Sequence, residues 1–190
     1  MRVAGIDEGM SLCGYAVLDF QNDGRDVTLV CYGVVPLSTR TGQDALVAVA
    51  EDPKNAVTLW AHEMQWPGVR KGRSSAEARY VTGGQSQSIG ILKVLLRDMK
   101  MLPPVAPTSA KLALAGSGRA DKEQMIRAAR WRFGLNDDVV LSEHEADAMG
   151  IAMVAGRKEC ERRLGRSQEL FSRTGTPRRQ AIARKGKANA

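Results

Sequence analysis

The sequence predicts an α/β domain, a mixed five-stranded sheet flanked by helices. Three observations carry that prediction. The first sixty or so residues alternate β-rich runs with turns bearing Gly, Asn and Asp, and further on helical periodicity takes over, interleaved with extended stretches. Strands first, then helices laid among further strands, are the pattern of a layered core. A length of 190 residues suits one domain of moderate size with something left over, and no internal repeat is visible.

The chain opens on Arg2-Val-Ala-Gly-Ile-Asp7, an apolar run that reads as a buried strand and stops on a carboxylate. Gly9 and Gly14 allow a tight reversal into a second strand, Cys13 to Phe20. A carboxylate at the mouth of a sheet costs desolvation energy unless a cation or donor meets it. Asp7 is therefore either a cation ligand or a turn aspartate satisfied by backbone amides. Asn22-Asp23-Gly24 then turns the chain into a third strand, Val27 to Leu37, rich in β-branched residues. Gln43 to Ala50 is a short helix ended by Asp52-Pro53. Ala56 to Ala61 is a fourth strand, buried by its unbroken apolar character, and it runs out into His62-Glu63.

Trp66 to Arg73 is a loop by its Pro and Gly content, and its Arg70, Lys71 and Arg73 make it basic. Ser74 or Ser75 caps a long helix running to about Met99, with Val81, Ile89, Leu92, Leu95, Leu96 and Met99 on its apolar stripe. Gly83, Gly84 and Gly90 each cost roughly 1 kcal/mol inside such a helix, which points to close packing on the sheet or to a hinge. Pro103-Pro104-Val-Ala-Pro107 is a short edge strand or an extended connector. Thr108 to Ala115 is a short helix. Asp121 caps the next, Lys122 to about Phe133, and Ser142 caps the last core helix, whose dipole Glu143 and Glu145 complement. Residues 1–164 are thus expected to form the domain, and 165–190, rich in Arg, Ser, Gly and Pro, a flexible basic tail.

Charge is unevenly distributed. Residues 1–156 carry 17 basic and 18 acidic side chains, whereas 157–190 carry 11 basic and 3 acidic, so the net +7 resides at the C-terminal end. Such a tail suits a polyanion, most often nucleic acid, or serves solubility alone. Cys13, Cys31 and Cys160, odd in number and widely spaced, fit a reduced cytoplasmic interior better than disulfides or a zinc site. No signal peptide or membrane span is expected, since the longest late apolar run, Ala148 to Ala155, is too short to cross a bilayer.

Four side chains form the candidate site: Asp7, Glu63, His144 and Asp147. His144 and Asp147 stand three apart on one helix and share a face. Asp7 and Glu63 end two strands expected to lie side by side. Like charges about 4 Å apart repel by roughly 4 kcal/mol at an effective dielectric of 20, so converging acids call for a cation. Oxygen ligands favour Mg²⁺ or Mn²⁺, and a pair of such ions is the usual means of hydrolysing a phosphodiester. The same residues also read as a well-capped surface helix. His62 is taken as a hydrogen-bonded structural residue. There is no His-Glu-x-x-His, and the Gly116 segment is no P-loop, because Asp121 precedes Lys122 and Glu123 follows it.

These residues resemble the RuvC Holliday junction resolvases of the ribonuclease H-like superfamily, including virus-encoded members. The resemblance lies in Gly5-Ile6-Asp7-x-Gly9 with Gly14-Tyr15-Ala-Val, in Glu63 followed by Trp66, in Lys111-x4-Gly116-x-Gly118-x-Ala120-x-Lys122, and in His144-x-x-Asp147-Ala148. The four motifs come in the family order over roughly residues 1–156. The resemblance implies a ribonuclease H-like fold and a metal-dependent endonuclease that resolves four-way DNA junctions as a homodimer. It makes Asp7, Glu63 and Asp147 the ligands of two ions, His144 a further ligand or a group that positions the scissile phosphate or water, and Lys111 and Lys122 phosphate contacts near the cut, with His144 and Lys122 among the catalytic set. It places Trp66 against an unpaired base, where stacking is worth roughly 1–3 kcal/mol. His144 stands where many members carry an aspartate, and Glu143 is a further candidate ligand. Looser selectivity for branched DNA, or a catalytically silent junction-binding module, are the other readings. An actin- or sugar-kinase-like phosphate hairpin also resembles Gly-Ile-Asp-x-Gly, but that architecture needs two domains.

Overall fold

A computed structural model describes residues 1–9, 11–64 and 86–174, with side chains as far as Gly165. The hairpin expected at the start is β1 (Arg2–Glu8) against β2 (Cys13–Gln21), in unbroken antiparallel register from Arg2↔Asp19 to Glu8↔Cys13. A 3-10 turn at Asn22–Gly24 leads into β3 (Asp26–Val35). All three turn residues have positive φ (47°, 58° and 86°), a conformation that Asn, Asp and Gly tolerate best. Helix α1 (Arg40–Glu51) starts three residues before its apolar pattern does, because Thr39 Oγ1 accepts the Gly42 N–H at 3.1 Å and caps it. There follow β4 (Leu59–His62), a helix α2 over residues 86–95, β5 (Lys100–Met101), α3 (Pro107–Ala115), α4 (Lys122–Phe133) and α5 (Glu143–Thr174).

The sheet order is β3-β2-β1-β4-β5, with β1–β4 and β4–β5 parallel and the rest antiparallel. The mixed five-stranded sheet is as expected, with the first strand at its centre. Three boundaries differ. Helical structure stops at residue 95 rather than near Met99, because the chain must turn to bring the Lys100 N–H onto the Thr58 carbonyl at 3.0 Å. The edge strand falls just ahead of the proline run. Pro103 and Pro104 have no N–H for the ladder, which resumes only when Val105 N–H meets the His62 carbonyl at 2.9 Å. And α5 passes Gly165 and stays helical to Thr174, since one exposed glycine costs roughly 1 kcal/mol and no proline intervenes before Pro177.

Strand alternation divides the core in two. On one face Val3, Ala16, Leu18 and Ala61 pack against Ala148, Met149 and Ala152 of α5; on the other Ile6, Val17 and Trp60 meet Leu46, Leu92 and Leu96. The α5 face is unusually close. A Cβ on Gly5 would stand 2.1 Å from the Ala148 carbonyl oxygen, and one on Gly14 2.2 Å from that of His144. Those two glycines let α5 lie across the central strands with its N-terminus above their carboxyl ends.

Candidate active site

The site is assembled by period-two alternation on one side and by a helix cap on the other. Val3 and Gly5 face α5, so Asp7 does too; Leu59 and Ala61 face α5, so Glu63 does too. Ile6 is in register with His62, which brings Asp7 and Glu63 off neighbouring parallel strands at one level. Above them the first turn of α5 is fixed by a reciprocal cap. Ser142 N–H and Oγ donate to Glu145 Oε2 at 2.7 and 2.8 Å, and Glu145 N–H returns to Ser142 Oγ at 3.3 Å.

The cap delivers His144 to Asp7, with Nδ1 2.6 Å from Oδ2. That hydrogen bond, aided by the charges of Asp7, Glu143 and Asp147, raises the imidazole pKa above its ordinary value against the opposing effect of burial. Asp147 follows one turn later. Burial first, and then the charges of Asp7 and Glu143, push its carboxyl up to about 6, although Lys111 and His144 pull the other way. Lys111 Nζ donates to the Ala120 carbonyl at 2.8 Å, which ties α3 to the loop before α4. Lys122, the first residue of α4, makes an ion pair with Glu143. Its helix is closed by the predicted Asp121 cap, here a full capping box with Gln124.

Asp7, His144, Asp147 and Lys111 are thus brought together, with Glu143 and Lys122 at their rim. Glu63 is half-buried on the same edge and face. Among the described residues no three His, Cys, Asp or Glu side chains stand close enough to enclose one ion as they are. The donor set nevertheless fits a hard divalent cation: carboxylate oxygens with one imidazole, and an acid whose charge Lys111 and His144 offset only in part. Trp66, Arg70, Lys71 and Arg73 lie outside the described residues.

One pair was not anticipated. His62 is hydrogen-bonded as expected of a structural histidine: its Nδ1 stands 2.7 Å from the Glu63 carbonyl oxygen and 3.3 Å from Glu8 Oε1, on the reverse face of the sheet. Burial opposes a charged His62, yet the hydrogen bond and charge of Glu8 raise its pKa overall. The signal was available: Glu8 follows Asp7 and His62 precedes Glu63, so strands that aim two acids forward aim these two backward.

The family model for crossover junction endodeoxyribonuclease RuvC matches residues 3–155. The chain belongs to the RuvC family. Among its relatives, the RuvC of Synechococcus sp. (strain CC9605) is 31% identical over 159 residues, covering 82% of this chain and 97% of the relative. The RuvC of Anaeromyxobacter sp. (strain K) is 32% identical over 163 residues, covering 80% and 79%. The solved Thermus thermophilus RuvC aligns at 25% identity with a TM-score of 0.55, over 87% of this chain and 97% of that one. The fold is therefore ribonuclease H-like, as the motifs implied, and this RuvC-family chain is a metal-dependent crossover junction endodeoxyribonuclease that acts on branched DNA.

Proposed function

We propose that this RuvC-family enzyme cuts Holliday junctions by paired nicks, each made where Asp7, Glu63 and Asp147, with His144, hold two Mg²⁺ ions or Mn²⁺ in their place. The products carry 5′-phosphate and 3′-hydroxyl ends. The observation that supports this most is Asp147, half-buried beside Asp7 and Glu143 with its carboxyl pushed up to about 6. A fold gains nothing from such crowding unless a cation arrives to relieve it. When bound, hard divalent ions activate water and stabilise the leaving oxygen at a phosphodiester.

The chain's own residues do the rest. His144 holds one oxygen of Asp7 through its 2.6 Å hydrogen bond and so orients that carboxylate. Lys111, fixed by the Ala120 carbonyl, keeps a positive charge beside Asp147 without neutralising it. Lys122 leaves Glu143 for the scissile phosphate. The basic residues of 66–73 take the branch point, Trp66 stacking on an unpaired base while Arg70, Lys71 and Arg73 meet phosphates. The C-terminal tail adds non-specific phosphate contacts beyond α5. Two chains act as a homodimer so that both nicks fall on one junction, in the cytoplasm where the DNA lies. No described helix is long and apolar enough to cross a membrane.

The decisive experiment is Asp7→Asn on labelled four-way, three-way, flap and duplex DNA with Mg²⁺ and Mn²⁺ in turn. Cleavage of the four-way junction should disappear while junction binding persists, because charge is lost and shape is kept. Wild-type cutting by the variant would sink the metal-site assignment. Equal wild-type cutting of all branched forms would replace strict resolution with a looser branched-DNA nuclease.

A further inference from the structure

The backbone ladder between β1 and β4 stops one step short of the acids it is meant to align. Its last pair is Ile6 with His62. Beyond that β1 turns away, Gly9 N–H donating back to the Asp7 carbonyl at 3.1 Å. The next rung is made by a side chain. Glu63 N–H donates to Glu8 Oε2 at 3.3 Å, and Glu8 Oε1 lies 3.3 Å from His62 Nδ1, which also stands 2.7 Å from the Glu63 carbonyl oxygen. On its other side the Glu63 segment is fixed by ordinary backbone bonds to Val105, from Val105 N–H to the His62 carbonyl at 2.9 Å and from Met64 N–H to the Val105 carbonyl at 2.7 Å. On the β1 side, beyond the Ile6–His62 pair, the Glu8 carboxylate adds its contacts to this segment.

We propose that Glu8 and His62 are positioning residues, a clamp behind the sheet that sets the separation of Asp7 and Glu63 in front of it. Each member of the clamp is the chain neighbour of one acid, so a change in the Glu8–His62 distance moves both acids together. Both are buried, 4% and 6% exposed. Burying a carboxylate and an imidazole gains little over two apolar side chains of similar size, and the surrounding cluster of Ile6, Cys13 and Trp60 would accept those readily. Stability alone does not call for this pair. Holding an adjacent ligand's backbone does, since outer partners of metal ligands are typically worth 10- to 100-fold in metal affinity or activity.

The inference rests on the reading of Asp7 and Glu63 as metal ligands, and its test separates the two. Mn²⁺ binding is measured by calorimetry alongside urea unfolding, metal-free junction affinity, and cleavage against metal concentration. Glu8→Ala should weaken Mn²⁺ binding about tenfold or more and leave metal-free junction affinity within twofold. Glu8→Gln, which keeps an acceptor for the Glu63 N–H, should restore most of the loss. The double variant Glu8→Leu/His62→Leu guards against simple unfolding, because it should fold at least as stably as the parent yet bind Mn²⁺ as weakly as Glu8→Ala. Parental Mn²⁺ affinity in the double variant overturns the clamp. If instead Asp7→Asn binds Mn²⁺ and cuts normally, the ligand assignment has failed and the clamp falls with it.

Discussion

Of the acids on helix α5, Asp147 near the site and Glu159 three turns further on are treated by the chain in opposite ways. Glu159 is 4% exposed and surrounded by its own cations: Arg162 Nε at 2.5 Å, Arg163 Nε at 3.2 Å and Lys100 Nζ at 3.5 Å. The Arg162 hydrogen bond above all holds its carboxyl down at about 2. At Asp147 burial and two acidic neighbours outweigh the pull of Lys111 and His144, and its carboxyl rises to about 6. Where an acid serves only the fold, the sequence supplies the counter-charge within one turn. Where it serves chemistry, the cations within the chain do not offset the acid, and the rest of the counter-charge is left to come from outside.

The largest effect that would break this comparison is at Asp147. Asp147→Asn should lower cleavage by about 10³-fold or more, since several kcal/mol of transition-state stabilisation go with a metal ligand and each 1.36 kcal/mol is tenfold. The same change should stabilise the metal-free protein by about 1–2 kcal/mol in urea unfolding, because it removes a charge that the fold disfavours. A less stable metal-free variant would mean that Asp147 is structural after all. Next comes Gly14→Ala. With the new Cβ 2.2 Å from the His144 carbonyl oxygen, α5 must shift, and a loss of about 3 kcal/mol is expected together with reduced cleavage. An unchanged unfolding midpoint would show that the helix N-terminus is not held by that contact.

A smaller effect is expected at Lys122. Its pair with Glu143 is exposed, unlike the pairs around Glu159, and exposed pairs are worth about 0.2–1 kcal/mol. The lysine therefore leaves for a phosphate at little cost. Lys122→Ala should slow cleavage about tenfold and reduce the salt slope of junction binding by about one unit, with stability nearly unchanged. A full salt slope would place Lys122 away from the DNA.

The sequence made the first hairpin and the caps at Asp121 and Ser142 legible, because each rests on local chemistry, whereas the pairing of β1 with β4 follows only from the expected fold. Asp7 and Glu63 could be set on one edge because strand ends carry their last side chain with them. Pro103–Pro107 is the extended connector of the two readings the prolines allow, while the edge strand Lys100–Met101 is not legible because what decides it is distant, the carbonyls of Thr58 and Trp60 rather than any β-propensity in Lys-Met. The end of α5 was missed because Gly165 looked like a stop while its neighbours are good helix formers. The Glu8–His62 contact needed two strands' phases considered at once. Glu159, in a stretch that reads simply as basic, gave no hint that three cations would gather on it.

The smallest expected effect is also the sharpest test of the contrast, because the two acids should shape the pH dependence of stability in opposite directions. Glu159 is depressed from 4.5 to about 2, so its contribution is complete above pH 4.5 and is lost as pH falls through about 2. Asp147 is raised from 3.8 to about 6, so its charge weighs against the fold above pH 6 and ceases to do so below pH 3.8. Metal-free protein should therefore gain stability as pH drops from 6 towards 4.5 and lose it further down. Glu159→Gln should cost about 1 kcal/mol at pH 7 and flatten the acid limb, leaving cleavage within twofold. Asp147→Asn should erase the gain above pH 4.5 and leave the acid limb intact. If Glu159→Gln slows cleavage as much as it destabilises, or if either variant alters the other's limb, the two ends of α5 are one coupled network and the division between fold and chemistry drawn along this helix does not hold.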